Sequence, residues 1–292
     1  MVTVARRQAS GEAQPRGDAP EPIALPGAEE VARVAAELYV DGPDAAALDA
    51  LVRGPALLRV DDLVAGYGPT EILHGVSLRV GKGQSLCLIG PNGAGKSTVL
   101  HAIYGLADVR SGSIAAQDRD ITRFGVTDKL KRSGMAYILQ DNSVFPDMTV
   151  EENLRMGGYL LKRPAQARDA AARVFDKYPA LAQRRGHVAR VLSGGERRLL
   201  EIARALIMDP AILLVDEPSI GLEPRFIEAV FEILSELQHR ENKTIVMVEQ
   251  NARKGLAFAD IGYVMVSGRI VRAAPGRELL EDPDVGRLFL GA

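Results

Sequence analysis

The feature that most constrains this chain is Gly90-Pro91-Asn92-Gly93-Ala94-Gly95-Lys96-Ser97-Thr98, which directly follows the short apolar run Ser85–Ile89. Three glycines, a lysine and a hydroxyl residue at this spacing form a loop whose backbone N–H groups converge on phosphate oxygens. Such a loop has to join a buried strand to the start of a helix, because the helix N-terminus adds positive potential. The residue types then predict roles. Lys96 reaches the β- and γ-phosphates and Ser97 ligates Mg2+. A chain built around this junction needs a parallel sheet with helices on both faces. The near-continuous apolar runs Ile212–Val215 and Thr244–Val248, separated by a helical pattern at Pro224–Arg240, agree with that layout.

Other texture surrounds this core. Residues 1–27 are rich in Ala, Pro, Gly and charge, a composition that predicts a disordered tail. Glu29–Leu51 carries apolar residues around the turn signal Asp41-Gly42-Pro43 and predicts two short helices. This 1–54 extension reads as a solubilising segment or as a regulatory one. From Leu57 the pattern turns to β runs, Leu57–Leu63 and Ile72–Val80, before Ser85–Ile89. Between Pro146 and Pro210 it is helical, with Thr149 and Glu152 spaced as a capping box.

Two further motifs carry chemistry. Ile212–Val215 ends in the carboxylates Asp216 and Glu217. Asp216 is placed to hold the Mg2+ shell and Glu217 to polarise a water attacking the γ-phosphate, as phosphoryl transfer requires. A plain acidic pair capping a helix at the strand exit is the alternative. Leu192-Ser193-Gly194-Gly195-Glu196 opens an amphipathic run, and a Ser-Gly-Gly turn at a helix start is another phosphate-binding device, though many helices begin so without a ligand.

In combination, the phosphate loop, LSGGE and a DE-terminated strand about twenty residues further on resemble the ATPase subunits of ABC transporters over Leu57 to Ala292. The resemblance implies an α/β P-loop fold with a parallel core sheet, an antiparallel β subdomain and an inserted helical subdomain near 141–210, all within a domain over 55–292. It implies ATP and Mg2+ as ligands. It also implies that Leu192–Glu196 binds the ATP of a second ATPase subunit, in a homo- or heterodimer. Tyr67 resembles the aromatic residue that stacks on adenine. Gln140 resembles the glutamine that senses Mg2+ and couples to the membrane subunit, and Ser219–Pro224 the loop crossing the dimer interface, with Glu223 where aspartate is commoner. Gln250 stands where the family's switch histidine falls. Glutamine hydrogen-bonds but carries no proton, so Glu217 is the stronger candidate base, with orienting the water as its other role.

Val248-Glu249-Gln250-Asn251-Ala252, the C-terminal LLEDPDVGRLFLGA and VFPDMTVEENLRMG resemble the ATPases of branched-chain amino-acid uptake, or of related urea and amide systems. Arg197 and Arg198 resemble lipopolysaccharide-export ATPases instead. A soluble ABC ATPase without membrane partners is a third reading. The 292 residues carry a net charge of -2, which argues against nucleic acid as a partner, and the lone Cys87 fits a reducing compartment. No apolar run reaches the roughly 18–20 residues of a membrane span. The expectation is a peripheral subunit on the cytoplasmic face of the membrane, with transmembrane permease subunits and, in an importer, a periplasmic or extracellular substrate-binding protein.

Overall fold

The computed structural model describes residue 33, residues 42–140 and residues 143–290. The expected tail and nearly all of the first short helix lie outside the described residues. The second helix is present at Ala45–Ala50, capped by Asp44, whose carboxylate accepts from Ala47 N at 2.8 Å. It is seated on the body of the molecule. Leu48 is fully buried in the main core, Asp49 pairs with Arg79 Nε at 3.1 Å, and Leu51 O accepts from Gln84 Nε2 at 3.2 Å.

Ten strands follow among the described residues: β1 (Ala56–Tyr67), β2 (Thr70–Gly81), β3 (Ser85–Ile89), β4 (Asp108–Ala116), β5 (Arg119–Asp120), β6 (Met135–Ile138), β7 (Ile212–Asp216), β8 (Thr244–Val248), β9 (Ile261–Val266) and β10 (Arg269–Pro275). They form a four-stranded sheet ordered β2-β1-β4-β5 and a six-stranded sheet ordered β10-β9-β3-β8-β7-β6. The smaller sheet is antiparallel. The larger is parallel from β9 to β6, with β10 as an antiparallel edge. The sequence patterns at β3, β7 and β8 sit where expected, whereas β4, β5, β6, β9 and β10 emerge only in the structure.

Successive strand residues point to opposite faces, and both faces of the large sheet are covered, which is why its strands are apolar throughout. Leu86, Leu88, Leu214 and Val246 pack towards the smaller sheet and helix Lys96–Tyr104. Cys87, Ile89, Leu213 and Met247 pack the other way, onto helices Pro224–His239 and Ala252–Phe258. A third cluster, around Val150, Leu154, Phe175, Leu181 and Leu200, joins helices Val150–Gly157, Pro164–Lys177, Pro179–Gln183 and Gly194–Leu206. Within this helical block, an isolated bridge pairs Thr149 with Val188, a departure from the purely helical pattern expected there. Its cause is a tertiary approach: Val150 N and Glu151 N, orphaned at a helix start, donate to His187 O and Arg185 O at 2.9 and 3.1 Å.

The candidate nucleotide site

The phosphate loop lies between β3 and helix Lys96–Tyr104. Its backbone requires glycine at two positions for different reasons. A Cβ on Gly90 would lie 2.0 Å from Met265 O, and Gly93 adopts a φ of 81°. The resulting groove, about 230 Å³, is walled by Asn92, Gly93, Lys96, Ser97, Thr98 and Glu217. Lys96 is buried and its Nζ donates to Gly90 O at 2.8 Å and Pro91 O at 3.0 Å. Burial lowers its pKa, and the carboxylates of Glu217 and Asp216 oppose that shift.

The acidic pair at the end of β7 divides as its positions demand. Asp216 is buried and accepts from Ser97 Oγ at 3.0 Å and Tyr137 OH at 2.7 Å. Burial, with the Asp216 charge beside it, pushes the Tyr137 phenol well above its usual range, so Tyr137 stays a donor. Glu217 turns into the groove through a left-handed φ of 42°, rare for a residue with a side chain, and its Oε2 accepts from Gln140 Nε2 at 2.9 Å. Such a conformation costs about 1–3 kcal/mol and persists only where its surroundings enforce it. Here Glu217 N donates to Val248 O at 2.9 Å.

A serine hydroxyl beside a buried carboxylate suits a hard cation, and Mg2+ characteristically takes one or two carboxylates with phosphate and water oxygens. Among the described residues no group of three or more His, Cys, Asp and Glu side chains forms a cage, which that mode of binding does not require. Tyr67, exposed at the end of β1 and not a wall of the groove, hydrogen-bonds His101 Nδ1 through its hydroxyl, the two rings meeting edge-on at 6.0 Å.

The other sequence candidates lie apart. Gln250 is exposed beyond β8 and is not a wall of the groove. Leu192–Glu196 stands at the start of helix Gly194–Leu206, also outside it. Ser193 Oγ accepts from Glu196 N at 3.3 Å and Glu196 Oε2 accepts from Ser193 N at 2.9 Å, a reciprocal cap. The Ser193 N–H holds the Glu196 carboxyl below its usual range, with Arg184 adding to the effect.

Several contributors escaped the motif reading. Tyr137 sits in a strand without any local signal for a role at Asp216. Glu249 is buried, accepts from Ser219 Oγ at 2.7 Å and Asn251 N at 2.8 Å, and so ties the Ser219–Pro224 loop to the Gln250 segment. Burial raises its pKa. Arg198 is buried too, and its signal was present: a charge three residues from Glu201 on an otherwise apolar helix face.

Comparison with known proteins agrees with this geometry. The ABC transporter family pattern matches residues 73–220. The chain is 40% identical over 235 residues to the high-affinity branched-chain amino acid transport ATP-binding protein BraG of Pseudomonas aeruginosa, covering 80% of this chain and 100% of that one. It is 31% identical to the lipopolysaccharide export ATP-binding protein LptB of Haemophilus influenzae, over 81% of this chain and 98% of that one. Among solved structures it resembles the ADP conformation of an ATP-binding cassette of an ABC transporter, with a TM-score of 0.72 and 29% identity over 82% of this chain and all of that one. The fold is thus that of known ATP-binding cassettes, and the chain belongs to the ABC transporter family as an ATP-hydrolysing, ATP-binding subunit.

Proposed function

We propose that this subunit hydrolyses ATP at the interface with a second ABC ATPase subunit, in a homo- or heterodimer, and that the reaction drives import of branched-chain amino acids through permease subunits. The observation that carries the chemistry is Glu217, turned into the groove at a left-handed φ and hydrogen-bonded to Gln140 at 2.9 Å. In this reading Lys96 exchanges its loop carbonyls for phosphate oxygens and Ser97 and Asp216 hold Mg2+. The metal's chemistry there is to neutralise charge on the β- and γ-phosphates. Glu217 accepts the proton of the attacking water, Gln140 orients that carboxylate, and Tyr67 offers its ring to adenine. Gln250 approaches the γ-phosphate as a hydrogen-bond donor. Ser193, Gly194 and Gly195 serve the nucleotide of the second subunit.

Glu217→Gln tests the chemistry. Hydrolysis falls by about 1000-fold, ATP binding persists, and an ATP-bound dimer accumulates in gel filtration. Gln250→Ala slows hydrolysis only moderately. Equal loss from both changes sinks the assignment of Glu217.

Import of branched-chain amino acids rests on the relatives, BraG above all, whose full length this chain spans. The helical block offers a docking surface for the permease: a groove of about 460 Å³ walled by Met148, Arg155, Met156 and Tyr159, the last 77% exposed. No helix among the described residues is long and apolar enough to cross a membrane, so attachment is peripheral in this reading, at the cytoplasmic face. A second reading, lipopolysaccharide export, is favoured by Glu196-Arg197-Arg198 and by the relative LptB. ATPase stimulation by a leucine-loaded binding protein, in vesicles holding the permeases encoded beside this chain, supports import. Stimulation by lipopolysaccharide instead supports export.

A further inference from the structure

Helix Gly194–Leu206 buries two opposite charges three residues apart. Arg198 is 4% exposed and Glu201 6%, and Arg198 Nη1 donates to Glu201 Oε2 at 2.8 Å. A buried ion pair contributes little net stability, because losing hydration offsets the attraction. Arg198 Nε, moreover, is buried and meets no acceptor among the described residues. Stability alone therefore gives no reason for this guanidinium.

What it reaches does. Nη1 also donates to Leu139 O at 2.8 Å, the carbonyl of the peptide that leads into Gln140. Nη2 donates to Asp216 O at 3.2 Å, the carbonyl of the peptide joining Asp216 to Glu217. The N–H of that second peptide is held by Val248 O. The peptide is thus gripped from both sides at the point where Glu217 enters its left-handed φ of 42°. A planar guanidinium fixes two carbonyls at a set spacing, which the point charge of a lysine does not.

We propose that Arg198, oriented by Glu201, is a positioning residue that joins the helix beginning at Ser193 to the backbones of Gln140 and Glu217. Seating of that helix then sets where the amide and the carboxylate stand. The inference rests on the proposed role of Glu217 and adds a contact from outside the groove.

The test uses the full-length chain. Arg198→Gln/Glu201→Ala removes both charges together and leaves no unpaired ion in the core. Arg198→Lys keeps the charge and loses the fork. Steady-state hydrolysis across an ATP titration is read beside thermal melting. In the double variant kcat falls about tenfold, half-saturating ATP stays within about twofold, and the melting temperature stays within about 3 °C. Arg198→Lys lowers kcat by at least about threefold. Wild-type kcat in a folded double variant overturns the proposal, as does a loss confined to KM or a lysine variant equal to wild type. If the double variant fails to fold, Arg198→Lys decides alone. A wild type no faster than Glu217→Gln overturns the role of Glu217 and this inference together, whereas an active wild type matched by the double variant overturns the inference only.

Discussion

Two helices of this protein begin with the same capping box and put it to different use. At Thr149 and at Ser193 a side-chain hydroxyl accepts from the N–H three residues on, and a glutamate there accepts from the cap's own N–H. The next two N–H groups are where they part. Behind Thr149, Val150 and Glu151 donate to His187 O and Arg185 O, so that helix start is closed by protein. Behind Ser193 stand Gly194 and Gly195, whose N–H groups meet no protein acceptor among the described residues. The same four-residue pattern makes one structural cap and one cap left with donors for an anion. The motif secures the helix; what packs in front of it decides whether the end is a site.

The sharpest way to break this contrast is Gly195→Ala. A Cβ there would fall 2.2 Å from Phe226 Cδ1, so the helix start or the Phe226 ring has to shift, whereas on Gly194 it would meet only Leu222 Cδ2 at 3.6 Å. Misplacing the donors by an ångström costs about 100-fold in hydrolysis, and Gly194→Ala costs less than about tenfold. Equal rates in the two variants would remove the geometric argument.

The next effect compares the caps directly. Thr149→Ala and Ser193→Ala each lose a hydroxyl cap worth about 1 kcal/mol, so both lower the melting temperature by about 3 °C. Their activities separate: Thr149→Ala stays within about twofold of wild type, and Ser193→Ala falls about tenfold. Matching activity losses would show that both are structural caps.

The smallest effect concerns an open acceptor in place of open donors. Glu249 Oε2 is buried and without a partner among the described residues, and burial raises the carboxyl's pKa. An acid whose folded pKa lies above its unfolded value contributes stability that is present at low pH and lost as pH rises through the folded pKa. Glu249→Gln keeps the Oε1 that accepts from Ser219 and Asn251 and never carries the charge. Its melting temperature relative to wild type therefore rises between pH 5 and pH 8, by about 2 °C. A difference flat across that range refutes the buried charge.

Much of the site could be read before any coordinates. Gly90–Thr98 is contiguous, and its glycines and lysine have mechanical roles that survive translation into any surrounding fold. Asp216 and Glu217 stood out because the phosphate loop precedes them in the chain; an apolar strand ending in two carboxylates reads by itself equally as a helix cap. Strand β9 was harder. Gly262 and Tyr263 interrupt its apolar run, and Gly262 is glycine because a Cβ would crowd Leu256 and Leu279 at 2.5 Å, a tertiary reason. The contact of Tyr137 with Asp216 spans 79 residues and that of Ser219 with Glu249 spans 30, separations at which local periodicity says nothing.

The sequence by itself determined the phosphate loop, the carboxylate pair, the capping box at Thr149 and the alternation of strand and helix. Each depends on residues within one or two turns of one another, where spacing and side-chain chemistry act directly. The tertiary structure decided which cap stays open, why Glu217 holds a left-handed backbone, and where Arg198 spends its donors. The first depends on the carbonyls of Arg185 and His187 and the others on those of Leu139, Asp216 and Val248, and a backbone carbonyl leaves no mark in the sequence.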